Sequence, residues 1–315
     1  MGIEVDKPRT TIIIQKALGA MDSQQGLFSE GVFRPEEAYI EMVKNLGKQL
    51  GKSEFASNAV FLTTALVFGD DTGKFFKRIT DQERLNKYAW IFDPKEALEK
   101  SDAEIMAGCK EFFRPAGYNK NVILEWPYNL RLLGQEYGGD IGNFFNKHNG
   151  DIEKILRALT VRPRAKTSEK REKRTFTRYG PKIASLLIQW INQYNLYEFG
   201  NSNSGAVPVD FQVARVLIQT GAVQLNQPEN AHQVTTIVGR ILQEACSQSN
   251  LEPRRVSEAL WNIGSRGCNQ KNHKNCPLEQ FCDRLISRRP YDASGQFDPK
   301  DTGRWEEELE FETSH

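Results

Sequence analysis

Long apolar runs are missing from this chain of 315 residues. None approaches the roughly 20 residues that a membrane-spanning helix needs, so a membrane anchor is not expected. The first ten residues, MGIEVDKPRT, hold no apolar leader. Asp6 stands where an N-myristoylation signal after Met-Gly needs Ser or Thr. Net charge is nearly absent, at +1, so no global field draws a polyanion and any basic face must be local. Strand-type alternation is scarce: Thr11–Ile14 is too short to assign, and no internal repeat occurs. Histidine is sparse, and three of the four (His148, His232, His315) form no coherent set. The chain therefore reads as intracellular, a compartment that disfavours disulfides and favours metal as the use of its five cysteines.

What is present is amphipathic helix. Residues 182–194 place Ile183, Leu186, Leu187, Trp190 and Ile191 on one stripe. Residues 231–246 do the same with Val234, Ile237, Val238, Ile241, Leu242 and Ala245. Residues 95–109 and 121–137 also read as helices, so an all-α architecture is expected, with helices burying their apolar stripes against one another. Residues 195–206 are polar and contain glycine, and read as an exposed loop. Residues 290–315 read as a tail, with Trp305 and Phe311 as candidates for local docking.

Near the C-terminus, Cys268-x4-His273-x2-Cys276-x5-Cys282 packs four soft-metal ligands into fifteen residues. Upstream, Val256, Ala259, Leu260 and Ile263 follow an i, i+3, i+4, i+7 pattern, which predicts a helix that delivers Cys268 at its end. Three thiolates and an imidazole suit tetrahedral zinc. Cys246 competes for the fourth place. It lies one turn after Leu242 on an apolar helix face, which favours a packed core thiol, and about twelve helical residues, some ~18 Å, separate it from Cys268. His273 is the preferred fourth ligand. Cys109 lies in a helical stretch and reads as core.

Two further features carry chemistry. Residues 162–178 (RPRAKTSEKREKRTFTR) contain eight Lys or Arg against two Glu, a local net of +6. This run, which includes Lys173, Arg174 and Arg178, passes through Tyr179 to Gly180-Pro181, a tight turn with proline at a first helical position. The amides opening such a helix can face a phosphate, and flanking cations grip the backbone without reading sequence. Downstream, Asp210 in Val207-Pro-Val-Asp-Phe-Gln-Val-Ala-Arg-Val216 precedes an amphipathic helix. It reads either as an N-cap or as a carboxylate at a cleft that stabilises positive charge.

Together these segments resemble the helix-hairpin-helix DNA glycosylases of the endonuclease III family. TRYGPKIASL (177–186) resembles the family's glycine turn ending in Lys-x-Ala, and VPVDFQVARV (207–216) is similar to its Val-Asp-x-His-x-x-Arg-Val motif. ALWNIGSRGC…CPLEQFC (259–282) resembles its iron–sulfur loop, and FFRPAGYNKN (112–121) its Gly-Phe/Tyr-x-x-Lys segment. The motifs occur in family order across roughly residues 95–285. The resemblance implies a two-lobed all-α fold: a six-helix barrel with the hairpin over 52–195, and a discontinuous metal-cluster domain from 1–51 and 196–287, with 288–315 as a tail.

It also implies a monomeric enzyme that binds double-stranded DNA carrying a damaged or modified base, flips that base out and excises it. By position, Lys182 matches the lysine nucleophile of the lyase members and Asp210 the aspartate, while Arg178, Tyr179, Gly180, Lys173 and Arg174 fall where the strand is gripped. The cofactor implied is a [4Fe–4S] cluster, with zinc as the alternative. For a Schiff base the lysine must be neutral when it attacks. A monofunctional glycosylase using Asp210 and water, and a non-catalytic DNA-binding protein on the same scaffold, are the alternatives.

The departures are specific. Arg178 replaces the first glycine of the family's Gly-x-Gly, which leaves either a differently built turn or an arginine that touches phosphate. The Lys182-to-Asp210 spacing of 28 is longer than the family norm. The cluster spacing departs as well, with His273 where a cysteine is usual.

Overall fold

The computed structural model describes residues 2–67, 72–117, 123–160, 175–201, 207–270 and 272–282, with short strand segments at 285–286, 296–297 and 303–304. Among the described residues fourteen α-helices run in chain order: α1 Lys7–Asp22, α2 Glu37–Leu50, α3 Phe55–Thr64, α4 Thr72–Ile79, α5 Gln82–Tyr88, α6 Pro94–Leu98, α7 Asp102–Phe113, α8 Trp126–Tyr137, α9 Ile141–Lys147, α10 Ile152–Thr160, α11 Pro181–Gln193, α12 Phe211–Gln219, α13 Ala231–Ser249 and α14 Pro253–Asn262. The described strands are two or three residues long and pair only in twos. The chain is thus mostly α-helical. Among the described residues no helix is long and apolar enough to cross a membrane.

The chain divides into two compact units, Met1–Phe33 with Ala206–His315, and Arg34–Gly205. The sequence boundary at 51/52 falls between α2 and α3, and both helices belong to the Arg34–Gly205 unit, where they pack on one another. Each unit has its own apolar core.

In the Arg34–Gly205 unit, α3 is buried along its whole length and meets α2, α9 and α11. A continuous set of aromatic contacts runs through this core, with Phe92 against Phe55, Phe112 and Trp126, and Phe76 against Tyr39 and Trp190. The stretch 95–109 is two helices rather than one. Asp93 caps α6, and Ser101 with Glu104 forms a reciprocal capping box that restarts the chain as α7. Residues 195–201 form an irregular segment in which Asn195, Glu198 and Gly200 are exposed, while Phe199 is buried, its ring 5.3 Å from Phe145, and Asn201 Oδ1 accepts from Ile152 N at 2.9 Å, capping α10.

The other unit is assembled from both ends of the chain. Strand Ile3–Val5 pairs antiparallel with Val223–Leu225. Asp6 then caps α1 by accepting from Arg9 N at 2.8 Å. Thr11–Ile14 lies inside α1, where Ile13 and Ile14 are fully buried and the helix packs on α13 and α14. Asn262 Oδ1 accepts from Phe33 N at 3.0 Å, tying the end of α14 to the N-terminal segment.

Candidate functional site

The turn before α11 is fixed from below. Phe176 and Tyr179 are both buried, and both pack on Phe61, one edge-on at 4.7 Å and the other stacked at 5.0 Å with 4° between planes. The Tyr179 hydroxyl donates to the Phe61 carbonyl, and burial raises its pKa well above the usual phenol value. An unpaired phenol at this depth costs about 1–3 kcal/mol, so this bond decides that the ring can stay inside. Tyr179, read from sequence position as a nucleic-acid contact, has its ring buried here. It anchors the turn. Asn129 of α8 clamps the intervening residue: its Oδ1 accepts from Thr177 N at 2.8 Å, and its Nδ2 donates to Thr177 O at 3.2 Å.

Between those anchors Arg178 adopts φ +72°, the left-handed region that favours glycine. The chain thus keeps a glycine-type backbone at the position where the resembling motif has glycine, and accepts a strain of order 1 kcal/mol or more to carry a guanidinium there. The Arg178 side chain is half-buried, its Nη2 lies 3.6 Å from Glu125 Oε1, and its Nε is buried without a partner. So long and partly exposed an ion pair contributes little to stability, so the pair does not explain why arginine occupies the position.

Gly180 is the N-cap of α11 at φ −76°, and a Cβ built there meets nothing within 4 Å. Neither conformation nor packing demands glycine at 180. No side chain caps α11, its first turn holds no acid, and half-buried Lys182 sits at the second helical position. The positive end of the helix dipole and a lysine thus occur at the same helix start. Lys173 and Arg174 lie outside the described residues.

Asp210 belongs to the other unit. It is the N-cap of α12, its Oδ1 accepting from Gln212 N at 2.8 Å and Val213 N at 3.2 Å. Arg215, on the same helix, is only 3% exposed, and its Nε and Nη2 have no hydrogen-bond partner. Burial pulls its pKa down, while Cys268 and Asp210 oppose that shift. Its guanidinium also stands 5.7 Å over the Phe211 ring.

Helix α14 continues into a π-helical turn, Ile263–Cys268, which delivers Cys268 at its end. A Cβ at Gly264 would lie 2.5 Å from the Gln212 carbonyl, so only glycine lets this turn seat on the first turn of α12. The loop beyond is held by the N-terminal segment. Leu27 N donates to Asn275 O at 2.9 Å, and Arg9 Nη2 donates to Phe281 O at 3.2 Å. Burial pushes the Cys268 thiol up to about 12; Cys276 and Cys282 raise it further and Arg215 lowers it. Burial pushes Cys276 up to about 11, with Cys282 adding to the rise. These three thiols share one electrostatic neighbourhood. Cys246 does not join it: it is a core thiol, 2% exposed, pushed up to about 11 by burial alone. His273 meets the loop through its backbone, its carbonyl accepting from Cys276 N at 2.9 Å.

Among the described residues no group of three or more His, Cys, Asp or Glu closes to metal-holding geometry. By type, three thiols and an imidazole are soft-metal donors.

Sequence reasoning missed Asn129, whose clamp spans 48 residues, and Arg215, which had a signal only as the arginine of the 207–216 motif. No protein-family model and no curated protein matches this chain.

Proposed function

We propose that the protein is a DNA glycosylase of the helix-hairpin-helix type that flips a damaged or modified base out of duplex DNA and excises it, with lyase activity through Lys182. The observation that carries this reading is the turn 176–180. Two buried aromatics and an amide clamp hold Arg178 in a left-handed conformation, directly before an uncapped helix start that bears Lys182.

In the proposed reaction the neutral Lys182 amine attacks the sugar C1′. The glycosidic C–N bond breaks, its electron pair leaves with the base, and the base takes up a proton. The attached nitrogen loses its proton as the sugar ring opens to a Schiff base. Removal of a C2′ proton then expels the 3′-phosphate and cuts the strand. Asp210 stabilises the positive sugar during the first step. Arg178, Gly180, Lys173 and Arg174 grip phosphates. Cys268, Cys276 and Cys282, with His273 as fourth ligand, hold a [4Fe–4S] cluster whose part is structural; zinc is the alternative, and Cys246 the competing ligand.

Borohydride trapping tests this. A duplex with an abasic site should become covalently linked to the wild-type protein, and Lys182→Ala should abolish the link. Absence of trapping and of strand cleavage by the wild type, on abasic DNA and on a broad lesion panel, removes the lyase reading. If base release persists without strand cleavage, the enzyme is a monofunctional glycosylase using Asp210 and water. The cap bonds of Asp210 favour one further reading, a non-catalytic DNA-binding protein in which that carboxylate only starts α12.

A further inference from the structure

Helix α11 has two faces. Ile183, Ala184, Leu187, Ile188, Trp190 and Ile191 are buried. Lys182, Leu186, Gln189 and Gln193 follow at i, i+4, i+7 and i+11, one line along the helix, and all four are half-buried. On that line Gln189 Oε1 and both amide atoms of Gln193 are out of contact with solvent and have no hydrogen-bond partner. Leaving such atoms unpaired costs stability, where an apolar side chain of the same shape costs little. A helix that retains two such glutamines on the face of its lysine forgoes stability for something the fold does not need.

We infer that Gln189, with Gln193 one turn beyond, reads the excised base. The substrate class is a nucleobase that presents an N–H donor beside an acceptor on the edge remote from its glycosidic bond. This rests on the proposal that Lys182 attacks the sugar. A base joined to a sugar at Lys182 then extends along the helix, over Leu186, towards Gln189, whose backbone lies about 10 Å further on. Leu186 supplies an apolar surface for the base face. A carboxamide carries donor and acceptor side by side and pairs in two-bond fashion with a matching base edge. Bases whose remote edge is blocked by alkyl groups leave the amides unpaired and are rejected.

The test separates base reading from chemistry on the sugar, because an abasic site has no base to read. The full-length protein and its Gln189→Leu and Gln193→Leu variants are compared by trapping on abasic duplex, by mass spectrometry of bases released from a pooled set of modified duplexes, and by thermal melting. The expected result is trapping within about twofold of wild type and release of donor-edged bases reduced about tenfold or more. Melting temperatures should be equal or higher, since an unpaired buried amide has been replaced by an apolar group. Unchanged release in unchanged proportions, with trapping intact, overturns the inference and leaves the lyase proposal standing. A fall in melting temperature with equal losses of trapping and release assigns the glutamines to the fold and also overturns it. Wild-type protein that neither traps nor releases sinks the enzymatic proposal, and the inference with it.

Discussion

Helices α11 and α12 both carry a residue assigned to catalysis, Lys182 in the first turn of one and Asp210 at the cap of the other, yet they open in opposite ways. Asp210 closes the start of α12 with its own carboxylate, satisfying two amides. Helix α11 opens from Gly180 with no side-chain cap, no acid in its first turn and a cation at its second position. A capped start is complete in itself and needs nothing from outside. A start left without a side-chain cap, beneath a residue strained to bring a guanidinium beside it, is suited to an anion that arrives. On the proposed reading the labour is divided: the α11 end holds the strand, and the α12 end presents the carboxylate.

The sharpest way to break the comparison is to make Asp210 only a cap. Asparagine caps as well as aspartate, so Asp210→Asn should leave melting unchanged while base release falls roughly 10²-fold or more. Asp210→Ala should lose turnover and also about 1 kcal/mol of stability, read from urea midpoints. If Asp210→Asn retains full turnover, the carboxylate is structural.

A second, smaller effect comes from Arg178. Arg178→Gly removes the left-handed strain and should stabilise the protein by about 1 kcal/mol. It should also weaken DNA binding uniformly across sequences and lower the salt slope by about 1. Stabilisation without any change in the salt slope would show that the guanidinium never meets a phosphate.

Gly180→Ala should have the smallest effect on the fold, because a Cβ there meets open space and φ is ordinary. Melting should stay within about 0.5 kcal/mol of wild type. Affinity for duplex should nonetheless fall, since the added methyl stands where a backbone phosphate is proposed to approach. Unchanged affinity places the strand elsewhere.

Much of the helical layout was legible because it is local. The apolar stripes of α11 and α13 are periodic in the sequence, and proline after glycine marked the start of α11. Ser101-x-x-Glu104 was a readable break in 95–109 that the apolar spacing alone concealed. What was not legible is what distant segments do to a residue. Tyr179 follows a basic run and reads as a residue that grips the strand; its burial comes from Phe61, more than a hundred residues earlier, which supplies both a stacking partner and a carbonyl. Tyr197 and Phe199 turn a polar-looking loop into packed chain because Phe145 lies beneath them. In the cysteine loop, spacing marked the ligand candidates. Only burial distinguishes Cys246, alone in its core, from three thiols that perturb one another.

Asn129 and Phe61 grip residues 177 and 179 from beneath, so the entry to α11 is fixed by α8 and α3 of its own unit. The placement of that helix start is therefore inherited from buried contacts, and substitutions that spare them leave Lys182 where it stands.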